Sequence, residues 1–488
     1  MQFNGRVLVI GLGSVSRCAV PLLMKHLGAP PERYTVMDFA DDPVVAAAGR
    51  EVQSAGAKFV RDRITRGNLG ALLGKYLGAG DLCVDLGWNI GCNDIVRWCH
   101  DHGVLYVNTS IEVWDPYEGI ERKTPPDRTL YVRHLALRRM LAGWPDRRGP
   151  TAVLDHGANP GLVSHFAKQA LEDIAARLLA EGRAKGPRRE RLQDALARRA
   201  WNELAMHLGV QAIHVSERDT QISDRPKREN EFVNTWSIEG LYEEGTSPAE
   251  MGWGTHERRL PPRAWKHRTG PRNQICLESW GINTRLRSWV PCGEIIGFVI
   301  RHGEAFTISD RLTVWKGKHA VYRPTVHYVY CLCDAAIASL HELRMRNYRM
   351  QESQRIMGDE ITEGRDELGC LLMGHDYRSW WIGSLLDIHE ARKLAPHQNA
   401  TTLQVACSAV SACLWMIRNP RMGVCVPDDL PHEEVLREAR PYLGPMVSKP
   451  VDWSPLDNWA KAHGNGGAAK PAARDAWQFT TFLARAQG

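Results

Sequence analysis

The chain has 488 residues, 43% of them hydrophobic and 24% charged, with a formal net charge of +6. That length exceeds one ordinary core and predicts two or three domains, and the composition is that of a globular protein. The basic excess is mild and divided between Arg183–Arg199 and Arg258–Arg272, and no run approaches the ~20 apolar residues of a membrane span, so neither nucleic acid nor membrane is expected as a partner.

The first 160 residues alternate strand and helix. Val7–Ile10 is a short apolar run, read as a buried parallel strand, followed by Gly11-Leu12-Gly13-Ser14-Val15-Ser16 and a helix from Ser14. Gly11 permits a tight turn and Gly13 a close backbone approach to a pyrophosphate, which the free N–H groups of the helix start would hold. Ser16 takes the place of the third glycine of this fingerprint. A second strand, Tyr34–Met37, ends in Asp38, an acid placed to accept the ribose hydroxyls of an adenosine. Further strands read at 58–60, 82–86, 104–108 and 152–155, with helices between them and another at 160–179. The alternation predicts a Rossmann-like, doubly wound parallel sheet over residues 1–160, with ligands at the carboxyl ends of its strands. Asp38 would repel a 2′-phosphate. The residues that follow it, Phe39 to Asp42, offer no arginine to neutralise one, so NAD is expected rather than NADP.

Residues 181–200 are basic and broken by Gly and Pro, and read as a surface excursion. Beyond Val210 short alternating runs appear, including 211–216, 232–237, 286–290, 295–301, 306–309, 312–315 and 320–330. Helices are expected at 334–346, 384–394 and 400–417. Residues 161–400 are therefore read as a substrate and dimerisation α+β domain with a mostly antiparallel sheet. Residues 401–455 read as a helical segment returning to the first domain, and 456–488 as a loose tail with low complexity over 461–474.

Twelve cysteines are scattered without a Cys-x-x-Cys pair and read as free thiols in a reducing cytoplasm; a first strand at Val7 leaves no room for a signal peptide. Cys99-His100-Asp101-His102 would point to different faces of a helix. His389-Glu390 and His432-Glu433 lack the second histidine of a zincin, so no metal site is expected. The informative constellation is acidic and aromatic. Glu217, Trp236, Glu244 and Glu304 fall at strand ends of the second domain, with His302 beside Glu304. Asp94 and Glu112 could face the same cleft from the first. A single glutamate is ordinarily a surface charge, and a single tryptophan is ordinarily core. Their joint occurrence describes a pocket for an organic cation, in which carboxylates pair with ammonium groups and a ring face adds cation–π attraction. A carboxylate or histidine could also take the proton that an alkylammonium must lose before its carbon gives up hydride.

Over Val7 to Trp453 the chain resembles bacterial homospermidine synthases, within the wider saccharopine dehydrogenase-like group. The resemblance rests on the motifs Gly11–Arg17, Gly157–Gly161, Glu217–Gln221, Phe232–Gly240, Gly252–Arg258, Tyr322–Tyr328, Asp366–Gly369 and Gln398–Thr401. It implies a homodimer that joins two putrescines into sym-homospermidine and releases ammonia, with spermidine as a further aminobutyl donor and NAD reduced and reoxidised in place. It also implies residue roles. Trp236 would present its face to the cationic centre. Glu217, Glu244 and Glu304 would hold ammonium groups, with Glu112 at one end and His302 beside the amine. Asn159 would orient the amine beside the nicotinamide, and Pro160 would cap the cofactor side. Asn89 stands where relatives tend to have an acid, with Asp94 nearby. Two other classes share these features: a saccharopine- or carboxynorspermidine-type dehydrogenase, whose carboxylated substrates would need arginines in the pocket, and a dinucleotide-dependent binding protein without catalysis.

Overall fold

The computed structural model describes residues 1–463 and 469–484. The first sheet is parallel throughout. β1 (Val7–Ile10) lies inside it, flanked by β2 (Tyr34–Asp38) and β4 (Leu82–Asp85). β3 (Lys58–Arg61) closes one edge; β5 (Leu105–Asn108) and β6 (Ala152–Val153) continue the other. β1, β4 and β5 are fully buried, as strands with helices on both faces must be. The order reverses between β1 and β4, which opens a crevice at their carboxyl ends.

The second sheet has ten strands around β7 (Ala212–Asp219), which pairs antiparallel with Arg365–His375 and parallel with Thr325–Cys331. The other pairings in this sheet are antiparallel. Asp219 and Asp366 lie opposite one another in the register of β7 and its neighbour.

Several expected elements differ. Residues 181–200 are not an excursion: helix Gly186–Ala197 buries Leu192 and Ala195, and helix Trp201–Leu208 follows. Residues 306–309 lie in helix Glu304–Arg311, where 304–309 are all buried, so this short run carries no period that separates helix from strand. Residues 384–387 end strand Arg378–Asp387, and the Asp387 side chain accepts the Glu390 N–H to start helix Ile388–Leu394.

The segment 401–455 is shared between the sheets. Helix Ala400–Arg418 packs along helix α1 (Ser14–Leu27), and Val424–Cys425 adds a parallel strand beside β6. Met446–Val451 instead forms an edge of the second sheet. Helix Ala400–Arg418 is long and apolar enough to cross a membrane, but 89% of its apolar window is buried inside the protein. The tail, expected to be loose, packs where it is described: Phe479 and Phe482 are buried against the second sheet, and Leu483 bridges to Leu286. The glycine-rich stretch 464–467 lies outside the described residues.

Candidate active site

A cavity of about 940 Å³ runs from the β1–α1 turn to the carboxyl end of β7. At its first end lie Gly11, Gly13, Ser14, Val15 and Asp38. Gly11 has φ +87°, and a side chain there would also press on the Leu86 carbonyl. A side chain on Gly13 would meet no protein atom and would project into the cradle itself. No side chain caps helix α1 and no acid stands in its first turn, so its leading N–H groups are left for an anion. The Asp38 carboxylate is held by the Leu12 and Ala40 N–H groups at 2.6 and 2.8 Å. These features fit a dinucleotide, its pyrophosphate at the helix start and a ribose at Asp38.

Phe39 to Asp42 bring no arginine to this end, but the loop after β3 does. Arg63 lies 4.7 Å from the Phe39 ring centroid, and Arg66 also lines the cavity. Their distance in sequence from Asp38 hid them.

The other end is acidic. Glu112, Asp155, Glu217, Glu239, Glu243 and Glu244 line it together with Trp236, Asn159, Pro160, His302 and Tyr328. Glu217 extends from β7 and is 3% exposed. Its Oε2 accepts hydrogen bonds from Asn159 Nδ2 at 2.8 Å and Tyr328 OH at 2.6 Å. Burial pushes its carboxyl up to about 7, with Asp219 adding to the rise against the pull of those two donors. Asp219 and Asp366 lie behind it, both buried and both raised chiefly by burial. Burial likewise raises the Glu112 carboxyl, against the pull of Arg133.

Trp236 is half-buried and donates its indole N–H to Tyr330 OH at 3.1 Å, which fixes the ring on the cavity wall. Its position owes much to the turn that follows, where the Ser237 hydroxyl accepts the Gly240 N–H to start helix Ile238–Gly245. That helix carries Glu243 and Glu244. Glu243 is bridged by Arg133 and Arg301; burial alone would raise its carboxyl, but the two guanidiniums hold it down to about 2. Arg133 is thus a neutralised cation rather than a free one. His302 lies 3.1 Å from Glu244 and 3.4 Å from Glu304. Burial alone would lower its pKa, yet these two carboxylates raise it well above the ordinary value, which favours the imidazolium.

Two of the expected substrate residues are placed off the cavity wall. Glu304 is fully buried behind His302, because it begins helix Glu304–Arg311 and turns inward. Asp94 accepts the Trp114 indole N–H at 2.7 Å, and Trp114 rather than Asp94 faces the cavity. Asn89 lines it from the loop after β4, with φ +55°. Asp155, Asp366, Tyr328 and Arg133 were not singled out from sequence as site residues. Their common signal, a polar side chain inside an apolar strand or helix, is shared by many structural residues. Away from the cavity, His432, set aside above as half of a zincin motif, has Glu172 at 3.0 Å and Glu433 at 3.4 Å, one carboxylate on each ring nitrogen. That arrangement joins two helices through one imidazole.

Comparison with known proteins agrees with this geometry. Residues 7–153 match the saccharopine dehydrogenase NADP binding domain, and residues 157–451 match the saccharopine dehydrogenase C-terminal domain. The homospermidine synthases of Blastochloris viridis and Mesorhizobium japonicum are each 38% identical to it; the alignments cover 99% of this chain and 98% and 97% of theirs. The crystal structure of homospermidine synthase from Legionella pneumophila in complex with NAD superposes with a TM-score of 0.87 at 35% identity, covering 100% of this chain and 99% of that one. A dinucleotide cradle continuous with a carboxylate- and tryptophan-lined pocket, matched over the full length of these relatives, places the chain in the homospermidine synthase family.

Proposed function

We propose that the chain uses NAD to transfer an aminobutyl group from one putrescine to another, forming sym-homospermidine and ammonia. The observation that carries this reading is the continuity of the cavity: the Gly13 cradle and the Glu217–Trp236–Glu244 wall line one space. An amine held on that wall lies beside the cofactor. When bound, NAD supplies a two-electron acceptor that can return what it takes to the same site. The residues of the chain do the rest. Glu217, with its carboxyl raised to about 7, is matched to accept a proton from an ammonium group near neutral pH. Asn159 holds that carboxylate in place through its amide and orients the amine. The Trp236 face stabilises the positive charge on the substrate as an imine forms and is exchanged for a secondary imine. Glu112 and Glu244 hold the distal ammonium ends. His302 pairs with Glu244 and with Glu304 behind it until an amine arrives to share Glu244.

The pocket argues for an all-cationic substrate over the carboxylated substrates of saccharopine-type dehydrogenases. Arg133, the arginine on the amine side among the described lining residues, is occupied by Glu243. The family likeness also supports a cytoplasmic homodimer that accepts spermidine as a donor. Light scattering on the purified protein tests the dimer. Purified protein given putrescine and a trace of NAD is expected to form homospermidine far in excess of the NAD. Reduced dinucleotide accumulating in step with product would move the reading to a dehydrogenase.

A further inference from the structure

The proposed reaction has a proton balance that one carboxylate does not meet. Both putrescines arrive as ammonium ions. The donor loses one proton, and its α carbon gives one hydrogen with two electrons to the bound dinucleotide, leaving an iminium. The acceptor loses one proton, and its nitrogen lone pair forms the new C–N bond. After a proton shift between the two nitrogens the old C–N bond breaks, and that electron pair leaves on ammonia. The hydrogen and two electrons return to the same carbon. Two protons are therefore lifted from substrate, then given back to ammonia and to the new secondary amine. Glu217 can hold one. A second acceptor must face the same cavity.

We infer that Asp155, backed by His134, is that second acceptor; the assignment rests on the reading of function above. Asp155 follows β6 at the carboxyl end of the parallel sheet and lines the cavity. It is 3% exposed, yet among the described residues no hydrogen bond from the protein reaches its carboxylate. Its Oδ2 lies 3.1 Å from His134 Nε2, without the alignment of a hydrogen bond. His134 is 2% exposed and stacks on Phe306, ring centroids 4.6 Å apart. Two further features hold the carboxylate where it is. Its backbone takes φ +56°, with the N–H donated to Asn108 Oδ1 at 2.9 Å. Gly303 leaves the space that Oδ2 occupies, and a side chain there would collide with it. Gly303 sits between His302 and Glu304, so Asp155 meets the cavity beside His302, and Glu217 lines the same cavity. A buried carboxylate facing an imidazole and a cation-binding cavity, with no protein donor of its own, is placed to take a proton from an ammonium. His134 is a positioning residue that stabilises either state of it.

The test separates the two half-reactions in Asp155→Asn. Removing a proton from the donor needs Glu217 alone, so single-turnover reduction of NAD by putrescine is expected to stay near the wild-type rate. Steady-state homospermidine formation is expected to fall about a hundredfold, in kcat rather than KM. His134→Gln keeps an amide N–H facing Oδ2 but cannot titrate, and should show the same split to a smaller degree. It also serves if Asp155→Asn fails to fold. Asp155→Asn with unimpaired turnover, or with both half-reactions lost together, would overturn the assignment. So would a fully active His134→Gln where Asp155→Asn does not fold. Wild-type protein that forms no homospermidine would overturn the functional reading and this assignment with it.

Discussion

The dinucleotide cradle is made by the backbone of consecutive residues, Gly11 to Ser16, whereas the amine wall draws Glu112, Glu217, Trp236, Glu244 and His302 from separate segments. A phosphate is recognised by N–H groups that every residue carries, so the sequence must supply only glycines and an uncapped helix start. An ammonium group is recognised by side-chain carboxylates, and burying several of these together is costly. Three acids on the amine wall are restrained by their neighbours: Glu217 has two neutral donors and a raised carboxyl, Glu243 has two guanidiniums, and Glu244 has the His302 imidazole. The cradle is generic and the wall is particular.

That contrast can be broken at defined places. The largest effect is expected from Glu217→Gln, which keeps the hydrogen bond from Tyr328 but removes the proton acceptor. Turnover should fall by about 10²–10⁴-fold with NAD affinity unchanged, measured by amine analysis and by calorimetry. In the wild-type protein the acid limb of the turnover profile should rise through about pH 7 as Glu217 loses its proton, and Glu217→Gln should lack it.

Glu243→Gln should act on stability instead. Arg301 is buried and Arg133 nearly so, and removing the carboxylate they share leaves buried cations unpaired, at a cost of about 3–5 kcal/mol in denaturant melts. The same pair predicts a pH dependence. The folded carboxyl is depressed from 4.5 to about 2, so its contribution, roughly 3 kcal/mol, is fully present above pH 4.5. It is lost as pH falls from there towards 2, and acid melts of Glu243→Gln should lack that part of the loss.

Trp236→Ala should lower turnover about 30-fold, the worth of roughly 2 kcal/mol of cation–π attraction in a desolvated site, with NAD binding kept. Asp38→Asn should be the mildest, costing NAD affinity about tenfold through one weakened ribose contact while amine binding is unchanged.

The two halves also differ in how far the sequence revealed them. β1, the glycine turn, helix α1 and Asp38 stand in one stretch with a fixed spacing, and the parallel sheet follows from alternating apolar runs and helical stripes. The second domain was legible as mixed and mostly antiparallel, but its strand order was not. β7 pairs with Arg365–His375 across the sequence of most of a domain, and no local signal records that pairing. Helix Glu304–Arg311 was read as a strand because four residues cannot distinguish the two periods. Trp236, Glu217 and Glu244 were reached through motif resemblance and an excess of acids. Asp155 and Asp366 escaped because a buried acid at a strand end looks like any polar terminus until its neighbours are known. Arg63 and Arg66 escaped because the chain leaves β2 and returns through β3 before it presents them.

The central claim is that one cavity removes a hydrogen from an amine and returns it to the same carbon. Putrescine deuterated at both α carbons, given with a trace of NAD and an excess of unlabelled reduced dinucleotide, tests it most directly. Homospermidine that retains all of its deuterium by mass analysis is the predicted result. Product lacking one deuterium, with label in the free dinucleotide pool, would contradict it.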